Sequence, residues 1–151
     1  MRTESLLTSQ RGFTMIEMLL SVSIIGLLSV IILPFSTALL VRNDLSAAVQ
    51  LSSDALYRAQ TVARGGHGDS QWGVSIQQGF ITLFKGASYA ARDVTADETT
   101  TLPTTIRPSG TSEIVFSKIF GIPTPSGALI LTSEQNESRT LTINEIGTIS
   151  Y

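Results

Sequence analysis

Glu17 is the first residue whose surroundings demand a chemical explanation. It is the only charge in an otherwise apolar run from Phe13 to Val41. A carboxylate in such a segment is costly in hydrocarbon and is kept where it has a partner. No basic residue lies between Phe13 and Val41, so Glu17 either stays protonated or pairs with a charge from another molecule. The other candidates for chemistry are sparse. His67, the only histidine, sits in Gly65-Gly66-His67-Gly68-Asp69, and any Ser–His–Asp triad would have to use it. A glycine-rich loop does not pre-organise a general base unless the fold pins it, so His67 reads as a solvated residue. With one histidine and no cysteine there is no zinc set, no disulfide and no thiol chemistry. Asp93, Asp97 and Glu98 carry oxygens of the kind calcium takes, but lack the spacing of a calcium loop and read as solvated charge. No phosphate-binding glycine motif is present. No enzyme activity, metal or cofactor is expected.

The elements that would position these residues divide the chain in four. Residues 1–12 are a short polar leader whose side chains and amino terminus sum to a positive charge. Residues 13–41 are apolar all round, and a span needs about 20 such residues. An ordinary signal peptide fits poorly, because its apolar core is shorter and its small-residue cleavage site follows that core. A plain anchor gives no reason for Glu17. In residues 42–66, Leu45, Val49, Ser52, Leu56, Ala59 and Ala63 recur at helical spacing. Arg42, Asn43, Asp44, Asp54, Arg58 and Arg64 lie largely off that stripe, as in an amphipathic helix lying on a domain. Residues 13–64 are therefore expected to form one long helix. Gly26 and Pro34 are its weak points and expected kink, and Gly65-Gly66 is its stop.

From residue 67 to 151 the period is two. Strands are expected at Gln71–Ile76, with Trp72, Val74 and Ile76 on one face and Trp72 anchoring the core, and at Phe80–Phe84 as its hairpin partner. Further strands are expected at Glu113–Phe116, Ala128–Thr132 and Arg139–Asn144, with another candidate at Ile119–Ile122 and a turn at Pro123–Gly127. Residues 86–112, rich in Thr, Ala, Ser, Asp and Gly, read as a long loop with room for one short strand.

Gly12-Phe13-Thr14-Met15-Ile16-Glu17, followed by the apolar run, resembles the processing site of type IV prepilins and type II secretion pseudoprepilins. The resemblance implies cleavage between Gly12 and Phe13 by a membrane prepilin peptidase, N-methylation of Phe13, and a role for Glu17 in subunit assembly. Gly26 and Pro34 fall where pilin helices carry glycine and proline. The strand order, ending in a hairpin with Gly147, is similar to the GspH/FimT type of minor pilin and pseudopilin. An α+β fold is then implied: a long N-terminal helix, membrane anchor plus amphipathic half, on a small antiparallel β domain. The implied location is the inner membrane, single-pass, with the C-terminal domain periplasmic or extracellular, and then a pilus or pseudopilus. The implied partners are the peptidase, other pilin subunits, an inner-membrane assembly platform and, before assembly, membrane lipid.

Two other functions compete. A DNA-binding minor pilin for natural transformation needs a cationic patch. The chain after Gly12 instead carries 8 basic and 11 acidic side chains, and Arg139 stands among Glu134, Glu137 and Glu145. Nucleic acid is therefore not an expected partner. A membrane-tethered hydrolase lacks catalytic groups.

Overall fold

The structure, a computed structural model, describes the backbone of residues 12–151, and the side chains of 12–29 and 40–151. The leader expected at 1–12 lies, up to residue 11, outside the described residues. Helix α1 runs Met15–Arg64. It begins where Thr14 accepts a hydrogen bond from the Glu17 backbone N–H at 3.3 Å, satisfying one of the amide donors that a helix start leaves without a partner. It stops at Gly65-Gly66, with Gly66 in the left-handed region at φ 64° and its N–H donating to the Ala63 carbonyl. Glycine takes that conformation without the Cβ penalty other residues meet.

The chain falls into two compact units, Met1–Ala38 and Leu39–Tyr151. In the first, the described side chains from Phe13 to Ser29 are exposed on every side of the helix. Ser21, Ser23 and Ser29 each turn their hydroxyl back onto the carbonyl four residues earlier, to Glu17, Leu19 and Ile25, at 2.7–2.8 Å. A serine bonded this way needs no water for its donor. Among the described residues, no helix is long and apolar enough to cross a membrane. The expected apolar run continues through residues 30–39, whose side chains lie outside the described set.

In the second unit the expected stripe of α1 becomes the buried face. Leu45, Val49, Ser52, Leu56, Ala59 and Ala63 are all buried, joined by Ala48. Each fully buried Leu or Ile contributes about 1.5–3 kcal/mol relative to exposure. Nine strands follow: β1 Trp72–Gln77, β2 Phe80–Lys85, β3 Asp93–Thr101, β4 Ile106–Gly110, β5 Glu113–Phe116, β6 Pro123–Thr124, β7 Gly127–Ser133, β8 Ser138–Ile143 and β9 Ile149–Ser150. They form two sheets, ordered β3-β2-β1-β5-β6 and β4-β7-β8-β9. Every pairing is antiparallel. The architecture is α+β, a helix on antiparallel sheets, as expected, with two sheets in place of one. The core joins Leu45, Leu56 and Ala59 of the helix to Val74, Ile114, Leu129 and Leu141 of the sheets.

Three expectations are corrected. Residues 86–112 are not one long loop: they hold β3, nine residues long, and β4. The threonines that suggested a loop are instead good edge-strand residues, since β3 pairs only with β2 and is exposed along most of its length. Ile119–Ile122 is a turn, and the short strand comes later, at Pro123–Thr124, inside the stretch expected to be a turn. β1 does not bury a single face. It is the central strand, and all of Trp72–Ile76 is buried. On the face opposite Trp72, Val74 and Ile76, the Phe84 ring lies over its cross-strand partner Gly73, where an added Cβ would come within 2.5 Å of the ring. Tyr89 then packs edge-on against Phe84, ring centroids 5.7 Å apart.

Candidate functional site

The first group of residues singled out by sequence lies at the start of α1. Gly12 is exposed and non-helical, and Phe13, at 79% exposure, precedes the Thr14 cap. Glu17 stands in the first turn, where a carboxylate favours the positive end of the helix dipole. Among the described residues no basic side chain pairs with it; the ion pairs there join Arg42–Glu137, Arg58–Glu98, Arg92–Asp97 and Lys118–Asp69. Thr14-Met15-Ile16-Glu17 has the spacing of a helix capping box, and its Thr14 half is formed. That T-x-x-E spacing was open to sequence reading, and it places the helix cap, Thr14, two residues beyond Gly12. A Cβ at Gly26 would meet nothing within 4 Å, so no packing among the described residues calls for glycine there. α1 is continuous through Gly26 and Pro34; the Pro34 side chain is outside the described set.

The remaining candidates are dispersed. His67 is exposed in a short 3-10 turn, His67–Asp69; its backbone carbonyl accepts from the Trp72 indole N–H at 2.9 Å, and its ring lies tilted beside the indole, centroids 6.0 Å apart. That bond satisfies the polar edge of a 6%-exposed indole, so Trp72 belongs to the core, as expected. Asp69 pairs with Lys118, whose hydrogen bond holds its carboxyl below the usual carboxylate range. Asp93 accepts from the Thr95 hydroxyl and N–H, which lowers its carboxyl too. Glu98 pairs with Arg58. Asp97 corrects its reading as solvated charge: with its side chain 14% exposed, it receives the Arg92 guanidinium at 2.7 Å. The hydrogen bond that Arg92 donates to Asp97 favours the charged guanidinium and raises its pKa, and the guanidinium also lies 3.8 Å over the Tyr89 ring. The three acids thus go to three partners. Among the described residues, no group of three His, Asp or Glu is placed to hold a metal ion.

Two features escaped the sequence reading. Gln60, 6% exposed, donates through Nε2 to the carbonyls of Gly121 and Gly147 at 3.1 and 3.0 Å. It ties the 117–122 turn and the final β8–β9 connection to the helix. Gly147, at φ 83°, has no room for a side chain: a Cβ would lie 2.1 Å from Gln60 Nε2. The signal was a glutamine one turn beyond Leu56 and beside Ala59. The two tied loops also expose Ile119, Phe120, Ile122 and Ile146 at 61, 71, 49 and 72%. Ile119 is in the left-handed region at φ 70°, a strained conformation for a β-branched residue.

Residues 7–33 match the prokaryotic N-terminal methylation motif. No curated protein matches the chain, and no solved structure does. The match supports a type IV pilin-like subunit, processed by a prepilin peptidase and assembled with other pilin subunits.

Proposed function

We propose that this chain is a minor pilin or pseudopilin of the GspH/FimT type, a non-enzymatic structural subunit of a type IV pilus or a type II secretion pseudopilus. One observation carries the reading: the methylation motif sets Gly12-Phe13 immediately before a helix whose described apolar side chains, from Phe13 to Leu28, have no cover among the described residues. Such a surface needs an apolar surrounding. Inner-membrane lipid supplies one before assembly, and a bundle of like helices supplies the other afterwards. The hydrophobic gain is similar in both, so the transfer is thermodynamically gentle. Peptidase cleavage after Gly12 frees the Phe13 amine, which is methylated. In the bundle Glu17 meets the Phe13 amine of a neighbouring subunit, and a mismatched register leaves that carboxylate buried and unpaired, which is strongly unfavourable. Gly26 and Pro34 act as the helix's points of bending, the assembly platform is the inner-membrane partner, and residues 42–151 face the periplasm or the exterior.

A DNA-binding role has no support of this kind. Arg42, Arg58, Arg92 and Lys118 are each paired with an acid, so half of the eight basic side chains after Gly12 already have a partner other than phosphate. A hydrolase reading has no pre-organised His67 to work with. The test of the proposal is the intact mass of the protein from cells with and without the prepilin peptidase. The expected product begins at Phe13 and carries one added methyl group. A chain that keeps Met1, or that is cut beyond residue 30, refutes the proposal.

A further inference from the structure

The hairpin between β7 and β8 carries a group that the assembly reading does not use. Its sequence is Glu134-Gln135-Asn136-Glu137-Ser138, so Asn136 is followed, with a residue other than proline between, by a hydroxyl at the second position. That is the acceptor pattern for N-linked glycan, which belongs on a surface loop of an exported protein. The fold puts it on one. Asn136 is exposed at the hairpin tip in the left-handed conformation, φ 61°, which asparagine tolerates better than most residues.

The backbone of the turn is held without help from the acceptor's side chains. The Ser133 N–H donates to the Glu137 carbonyl at 2.8 Å, the Asn136 N–H to the Ser133 carbonyl at 3.0 Å, and the Glu137 N–H to the Ser133 hydroxyl at 3.2 Å. Glu137 also pairs with Arg42 of the helix. Among the described residues, the Asn136 carboxamide and the Ser138 hydroxyl make no hydrogen bond, and both residues are exposed. The two groups that an acceptor must present are therefore free, and the bonds that keep the hairpin closed do not compete for them. Glu134, also exposed, sets a carboxylate two residues before the asparagine, where an enzyme with a basic subsite would read it.

We propose that Asn136 is an N-glycosylation site, modified by an oligosaccharyltransferase from a lipid-linked oligosaccharide. The Asn136 amide nitrogen forms a bond to the anomeric carbon of the first sugar. The bond from that carbon to the polyprenyl diphosphate oxygen breaks, and the diphosphate leaves with the electron pair. The amide nitrogen gives up one proton. The inference rests on the proposed function only in needing residues 42–151 to be exported.

The experiment is peptide mapping of the full chain purified from its own cells, with the Gly12–Phe13 cleavage read from the same sample. The tryptic peptide ending at Arg139 is expected to carry the mass of whole sugar residues. Asn136→Gln and Ser138→Ala abolish that mass, Ser138→Thr retains it, and Glu134→Gln lowers its occupancy. The unmodified variants should melt like the natural chain, since the side chains removed hold nothing in place. A bare Asn136 in a chain cleaved at Gly12 overturns the inference alone. A bare Asn136 in an uncleaved chain overturns both this and the proposed function. Sugar mass that persists in Asn136→Gln also overturns it.

Discussion

Glu17 serves two levels with two different atoms. Its backbone N–H completes the Thr14 cap, while its carboxylate has no partner among the described residues. Glu17→Ala keeps the N–H, so the helix start should survive, with at most about 0.3–1 kcal/mol lost from the dipole interaction. The variant should be cleaved after Gly12 as before yet be missing from sheared filaments, measured by immunoblot of both fractions. Normal incorporation would remove the carboxylate from the assembly mechanism. Gly147 is the second residue where a single atom decides. Gly147→Ala must enter an unfavourable φ and displace the Gln60 amide, leaving the Gly121 carbonyl short of a buried donor. A loss of roughly 2–4 kcal/mol is expected in urea unfolding of residues 39–151. Glu17 could be found in the sequence because it breaks an apolar run. Gln60 could not be found so easily, because its two acceptors are backbone carbonyls 61 and 87 residues away, and nothing local announces them.

At the scale of elements, sequence pattern worked wherever one face alone is buried. The helix stripe from Leu45 to Ala63 repeats at helical spacing because its other side meets water, and β8 alternates along Leu141-Thr142-Ile143 for the same reason. The pattern failed where an element lacks that asymmetry. β3 is exposed on both faces except at Ala96 and Asp97 and has no apolar alternation to read; its pairing with β2 is fixed by backbone bonds, with a shift in register between Leu83 and Lys85. β1 has the opposite problem, because both faces are covered, and Gly73 inside it looks like a weak point. It is instead the seat of the Phe84 ring. A methyl group at Gly73 would meet that ring and, at 2.9 Å, the Ile114 carbonyl of the neighbouring strand. Gly73→Ala should therefore cost roughly 1–3 kcal/mol as overpacking, although alanine is ordinarily harmless in a strand. Chemical denaturation of residues 39–151 measures it, and an unchanged midpoint would mean that Phe84 moves aside freely.

On the scale of the whole molecule, the two units have opposite demands on solvent. Residues 39–151 bury most of their apolar side chains among themselves, from Leu45 on the helix to Ile149 at the end of the last hairpin, with Ile119, Phe120, Ile122 and Ile146 left exposed on the two loops that Gln60 ties. Their exposed ion pairs, Arg42–Glu137 and Arg58–Glu98, keep the outer surface wet. The first unit has no such arrangement: Phe13, Met15, Ile16, Leu19, Val22 and Leu27 are each at least 60% exposed, and the serines between them have already satisfied their donors within the helix. Contact with water there gains little and leaves apolar surface hydrated at about 25 cal/mol per Å². The chain should therefore divide by solvent at the boundary between the units. Residues 39–151 produced alone are expected to be soluble, to unfold in one cooperative transition and to remain monomeric in sedimentation. The chain from Phe13 is expected to partition into the detergent phase of a cloud-point separation. Replacing three of its exposed apolar residues, Ile16, Leu19 and Leu27, by serine should shift it toward the aqueous phase without altering the melting of the second unit. A full chain that stays in the aqueous phase would remove the membrane from the proposed function, and a truncated form that aggregates would mean that the second unit leans on the first for cover.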